Sequence, residues 1–147
     1  MSGNTKKDKR RKKASDRGIV DFMRITYHFF SEMNEWIRDM TDPRNPSYTT
    51  YTQADYIWLG IMKNVCGQKS MRSMDENFNE DICIDTLRIL SGNKNLTEMP
   101  HYDSLNWYLS RLSPECLAGI RKLMVTKLIR SRVFDKNKAY GKYWRIV

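Results

Sequence analysis

The histidines and cysteines, the side chains most readily used as base, nucleophile or soft metal ligand near neutral pH, number five: His28, His101, Cys66, Cys83 and Cys116. Nucleophilic catalysis requires a nucleophile, a base and an orienting group that can meet in space. His28 falls on the polar side of an amphipathic segment and His101 in a loop, which are the positions of surface or capping histidines. The cysteines lie 17 and 33 residues apart, matching neither a disulfide framework nor the close pairs of a zinc site. Their apolar helical surroundings read as those of reduced, small core residues. Asp75, Glu76, Glu80, Asp81 and Asp85 form an acidic cluster in which Asp81 and Asp85 are one helical turn apart. That spacing suits either a hard cation or a solvated acidic face, and the cluster lacks the alternating ligands and glycine of an EF-hand. The sequence contains no glycine-rich phosphate loop, HExxH or CxxC. On these grounds the chain is expected to have no catalytic residue, metal site or cofactor of its own, and not to be an enzyme as it stands.

Charge is more informative. The net +9 divides into +6 over residues 1–17 (eight Lys/Arg against two Asp), −5 over 18–117 (nine against fourteen) and +8 over 118–147 (nine against one). Two basic ends flank an acidic middle. Clustered positive charge displaces counterions from a nucleic-acid backbone and gives salt-sensitive affinity, so a nucleic acid, DNA or RNA, is the expected partner, and double-stranded DNA where a groove is read. The tail residues Lys6, Lys7, Lys9, Arg10, Arg11, Lys12 and Lys13 are candidate phosphate contacts; a merely solvating tail is the other reading. Around Gly67, a helix, a short turn and a second helix from Ser70 have helix-turn-helix spacing that could present Lys69, Ser70 and Arg72 to a major groove. Ordinary structural corners share that spacing, and the acids that follow would repel phosphate. Lys122, Arg130 and Arg132 are further candidates on a last helix whose basic residues lie all around it. Trp107, Tyr108, Tyr143 and Trp144 are suited either to base stacking or to a core.

The elements that must position these residues are helical. With 40% hydrophobic and 29% charged residues, the 147-residue chain can build a core and is not disordered throughout. Residues 1–17 have no apolar period and are expected to be disordered. Phe22, Ile25, Phe29, Met33, Trp36 and Met40 recur at three or four places, predicting one amphipathic helix over 19–40. The prolines of Asp42-Pro43-Arg44-Asn45-Pro46 stop it. Thr52 and Asp55 form a capping pattern before a segment apolar nearly all round through Cys66, expected at the centre of the core. Gly67 ends it, and Ser70 caps a short helix to about Phe78. A helix over about 80–90 places Ile82, Ile84, Leu87 and Leu90 on apolar faces. Asp103 is expected to cap a helix burying Leu105, Tyr108, Leu109 and Leu112. Ser113-Pro114-Glu115 starts the last helix, reaching about Val133 with a core stripe of Leu117, Ile120, Met124 and Leu128. Lys142 to Val147 reads as a strand with no partner in a helical chain. The fold class is therefore all-α: a multi-helix domain of five to six helices with a basic tail and a C-terminal strand stub.

The longest apolar run, Tyr56 to Met62, is interrupted by Lys63 well short of a membrane span. The basic start lacks a signal peptide's apolar core. A cytoplasmic protein without a membrane partner or small-molecule substrate is expected.

Taken in order, Asp42-Pro43-Arg44, Ser70-Met71-Arg72, Pro100-His101-Tyr102-Asp103-Ser104, Leu112-Ser113-Pro114-Glu115, Leu128-Ile129-Arg130-Ser131-Arg132 and Tyr143-Trp144-Arg145-Ile146 resemble the amino-terminal region of bacterial insertion-sequence transposases of the DDE type. The resemblance covers roughly residues 20–147; Ser104 departs from it, standing where threonine is expected. It implies a tail (1–17), a helical domain (18–138) and the start of an RNase H-like catalytic domain (139–147). In that family three carboxylates hold two divalent metal ions, expected to be magnesium, and the matching positions lie beyond Val147. What the resemblance implies is thus a catalytically inactive DNA-binding and assembly region of a transposase acting in DNA transposition, with a second copy of the chain as a further candidate partner. The alternative is a stand-alone helical protein-interaction module whose basic tail binds nucleic acid non-specifically.

Overall fold

The computed structural model describes residues 21–78, 80–139 and 143–144, with side chains at 48, 75–77, 137–139 and 143–144 left aside. The basic tail residues Lys6 to Lys13 lie outside the described residues. Two compact units divide the chain between Leu112 and Ser113, a boundary inside the span 18–138 read from sequence as one helical domain.

Among the described residues six α-helices and a short 3-10 turn (Pro46–Tyr48) build the first unit: α1 (21–29), α2 (Met33–Arg38), α3 (Gln53–Val65), α4 (Met71–Phe78), α5 (Asp81–Ser91) and α6 (Tyr102–Arg111). The expected continuous helix over 19–40 is two helices, separated at Phe30 to Glu32. No proline or glycine marks the break. It coincides with a shift of the buried stripe by one residue: Thr26, Phe30, Met33 and Ile37 face inward, while Ile25 is 50% exposed. Two neighbouring apolar stripes are available in this sequence, and packing against α3 selects between them. The polar side, from Asp21 and Arg24 to Glu35 and Arg38, is exposed as expected.

α3 is the central element and packs on α2, α5 and α6. Tyr56, Ile57, Trp58, Leu59 and Met62 are buried along it, each full burial of such a side chain contributing about 1.5 to 3 kcal/mol. Its start is the capping box read from sequence: Asp55 N–H donates to Thr52 Oγ1 (3.2 Å), and Thr52 N–H donates to Asp55 Oδ2 (2.7 Å). At its end Gly67 adopts φ +65°, and Gln68 N–H reaches back to the Lys63 carbonyl at 2.9 Å. α5 buries Ile84, Leu87 and Leu90, but Ile82, expected on an apolar face, is 71% exposed because it precedes the buried stripe by two residues. α6 is capped by His101, whose Nδ1 accepts from Asp103 N–H at 3.3 Å, and not by Asp103 itself. The ring reaches the amide first, leaving Asp103 in the first turn, where the helix dipole favours an acid. Leu105, Tyr108 and Leu112 are buried on α6.

The second unit begins with α7 (Pro114–Arg130), capped by Ser113, which accepts from Glu115 N–H at 3.2 Å. α7 ends at Arg130, short of the expected Val133. Arg132 stands at φ +56° in the left-handed region, and Val133 N–H turns back to the Leu128 carbonyl. Ile120 is buried, but Leu117, expected beside it, is 43% exposed. A short 3-10 turn (Asp135–Asn137) leads to β1 (Lys138–Ala139), which pairs antiparallel with β2 (Tyr143–Trp144), Lys138 opposite Trp144 and Ala139 opposite Tyr143. Of the strand read over 142–147, the described part is Tyr143–Trp144, and it has a partner, supplied by a run too short to show a period.

Candidate nucleic-acid interface

The corner between α3 and α4 is made by the Gly67 turn and a reciprocal serine cap. Ser73 N–H donates to Ser70 Oγ (3.0 Å), Ser70 N–H donates to Ser73 Oγ (3.2 Å), and Ser73 Oγ donates to the Ser70 carbonyl (3.0 Å). Ser70 is thus engaged in building the helix start. Lys69 and Arg72 are exposed. Met74 and Phe78 are buried, fixing α4 against α6. Beyond the corner, Glu80, Asp81 and Asp85 are exposed, and Asp85 pairs with Arg88 at 2.5 Å.

On α7, Lys122 and Arg130 are exposed, as is Arg132 beyond its end. Eight residues from Lys122 to Arg130 are a little over two turns, which places the two about 80° apart around the helix. Lys69, Ser70 and Arg72 belong to the first unit and the α7 cations to the second.

Two of the motifs behind the transposase resemblance meet in the first unit. Arg44 is held by Asp42 through Nε–Oδ1 (2.9 Å) and Nη2–Oδ2 (2.6 Å), and donates to the Tyr51 carbonyl at 2.6 Å. Its guanidinium carbon lies 5.1 Å from the ring centres of both Tyr56 and Tyr108, which stack on each other at 4.9 Å. The Tyr108 hydroxyl donates to Gln53 Oε1 at 2.8 Å, and Ser104 hydrogen-bonds the Tyr56 hydroxyl. A cavity of about 620 Å³ opens beside this cluster, lined in part by Arg44, Tyr51, Ser104 and Trp107. Burial works against charge on Asp42 and on Arg44. Their mutual hydrogen bonds and attraction outweigh it, holding the Asp42 carboxyl below its ordinary range and Arg44 above its own. Burial, with Glu98 close by, pushes the Tyr51 hydroxyl up to about 12. With its side chain only 9% exposed and its guanidinium bound to Asp42 and the Tyr51 carbonyl, Arg44 fixes the 41–52 connection.

The aromatic candidates separate. Tyr108 is fully buried, whereas Trp107 is 44% exposed with Arg111 4.2 Å above its ring; Tyr143 and Trp144 have no described side chains. The cysteines are half-buried and not core residues proper, and burial raises the thiols of Cys66 and Cys83. Among the described residues no three His, Cys, Asp or Glu side chains converge as a metal site. No helix among them is long and apolar enough to cross a membrane.

Sequence reasoning missed two exposed cations, Arg38 and Lys94, that share a second cavity of about 600 Å³. They are 56 positions apart, and no local spacing links them. Comparison of the chain with protein-family models, curated proteins and solved structures finds no match.

Proposed function

We propose that this chain is the DNA-binding and assembly region of a DDE-type transposase, engaging transposon ends while the metal-dependent chemistry belongs to a separate catalytic domain. The observation that carries this is α7. Over seventeen residues it has four Lys/Arg against the single Glu115, and Arg121, Lys122 and Arg130 are exposed with no ion pair among the described residues. Such a helix favours a polyanion over an acidic or neutral surface. The basic tail adds to the same preference, and the order of motifs from Asp42 to Ile146 supports the family. A second reading, the helical protein-interaction module, draws on the exposed Val125, Ile129 and Val133 of the same unit, which would suit a protein contact or a second copy of the chain.

Binding of the full chain to duplex DNA carrying the terminal repeats of its own element, against scrambled duplexes over a salt series, tests the proposal. A variant with Lys6, Lys7, Lys9, Arg10, Arg11, Lys12 and Lys13 changed to Gln is compared. Preference for the repeats is expected to survive tail neutralisation. Loss of all affinity with the tail, and no preference before it, would overturn the proposal in favour of the interaction module.

A further inference from the structure

The cleft between the end of α2, the start of α3 and the 91–95 loop has a one-sided chemistry. Three amides form its wall. Asn34 donates to the Leu90 carbonyl (2.8 Å) and accepts from Trp58 Nε1 (2.7 Å). Gln53 donates to the Met40 carbonyl (3.0 Å) and accepts from the Tyr108 hydroxyl (2.8 Å). Asn93 donates to Asp55 Oδ2 (2.8 Å) and accepts from Asn95 N–H (3.1 Å). Each amide uses both its carbonyl and its amino group within the protein, so the wall is fixed and its acceptors are engaged. What remains for a ligand is mainly donor: the Arg38 guanidinium, the Lys94 ammonium, the Asn95 side chain and the first amides of α3 at Gln53 and Ala54, which helix geometry leaves without an intrahelical acceptor. Arg38 and Lys94 are exposed and form no ion pair among the described residues. No carboxylate lines the cleft; that of Asp55 is fully buried behind Thr52 and Asn93.

We infer that this cleft binds a phosphate group. Two cations from separate elements line the same cleft as the N-terminal end of a thirteen-residue helix, whose amides and dipole favour an anion. At about 600 Å³ the cleft admits a phosphate together with the atoms that carry it. The carrier is either the sugar–phosphate backbone of nucleic acid or a free phosphate compound. A phosphate cleft stands apart from the proposed function, which draws on α7 and the tail, and either can fail alone.

The test uses the full-length chain and its Arg38→Gln/Lys94→Gln variant, both changes at exposed positions. Amide resonances of Gln53, Ala54, Lys94 and Asn95 are followed on adding inorganic phosphate, with sodium chloride at matched ionic strength as the control, and duplex DNA affinity is measured across salt. A saturable phosphate response in the wild type that the variant lacks is expected. If the backbone is the carrier, the variant also loses about tenfold in DNA affinity, and its log–log salt slope falls by about two. A phosphate response with unchanged DNA binding supports the cleft and assigns it to a free phosphate compound. A DNA loss of that kind without a response to inorganic phosphate supports it as a backbone contact. Absence of both effects overturns it, and if the chain binds no DNA at all, the phosphate titration alone decides.

Discussion

Arg44 joins several parts of the first unit through one side chain. Its planar fork meets both Asp42 oxygens while its other nitrogen reaches the Tyr51 carbonyl, a geometry that an ammonium cannot reproduce. Arg44→Lys is expected to destabilise nearly as much as Arg44→Ala, each by about 2 to 3 kcal/mol in urea unfolding; this is below the cost of breaking a fully buried pair because Asp42 is partly solvated. A small loss in the lysine variant would show that charge alone suffices. The same pair sets an acid response. Arg44 holds the folded Asp42 pKa below its unfolded value, so its contribution is present above about pH 4 and is lost as pH falls through the folded value. Asp42→Asn should therefore be less stable than wild type at pH 7, with the gap narrowing toward pH 3. An unchanged gap would remove the linkage. In the sequence Asp-Pro-Arg reads as a helix stop and as one motif of a resemblance, and its packing role is not legible there because the partners Tyr56 and Tyr108 are brought to it by α3 and α6.

Element by element, what is legible is local. The Thr52/Asp55 box, the Gly67 end, the Ser70 cap and the Ser113-Pro114-Glu115 start appear where the sequence puts them, because each depends on residues within a turn of one another. What depends on distant packing is not legible. The break between α1 and α2, the choice between their two stripes and the exposure of Ile82 are decided by neighbours remote in sequence. The end of α7 is intermediate: its stop is marked by no glycine, and Arg132 occupies the left-handed position that glycine would favour. Arg132→Gly removes that strain and should raise stability by about 0.5 to 1 kcal/mol, part of the gain being offset by the freer unfolded chain. A fall in the unfolding midpoint would mean that the arginine side chain contributes more than its backbone costs.

At the scale of the molecule, the segregation of charge is fully readable from composition. The candidate sites are only partly so. Cations in sequence clusters stand out on the page, whereas Arg38 and Lys94 become neighbours only once α2, α3 and the 91–95 loop are assembled. The helical class follows from hydrophobic period, and the short pairing of β1 with β2 escapes because two-residue strands have none.

The amides that wall the cleft have a consequence for handling the protein. Asn34 and Gln53 tie α2, α3, α5 and α6 together with neutral hydrogen bonds, and Asn93 ties the 91–95 loop to the buried Asp55, contacts that salt screens far less than it screens charges at a surface. High ionic strength should thus strip a polyanion from the exposed cations while these ties hold. Purification free of bound nucleic acid and recovery of an intact fold then become compatible in a single step.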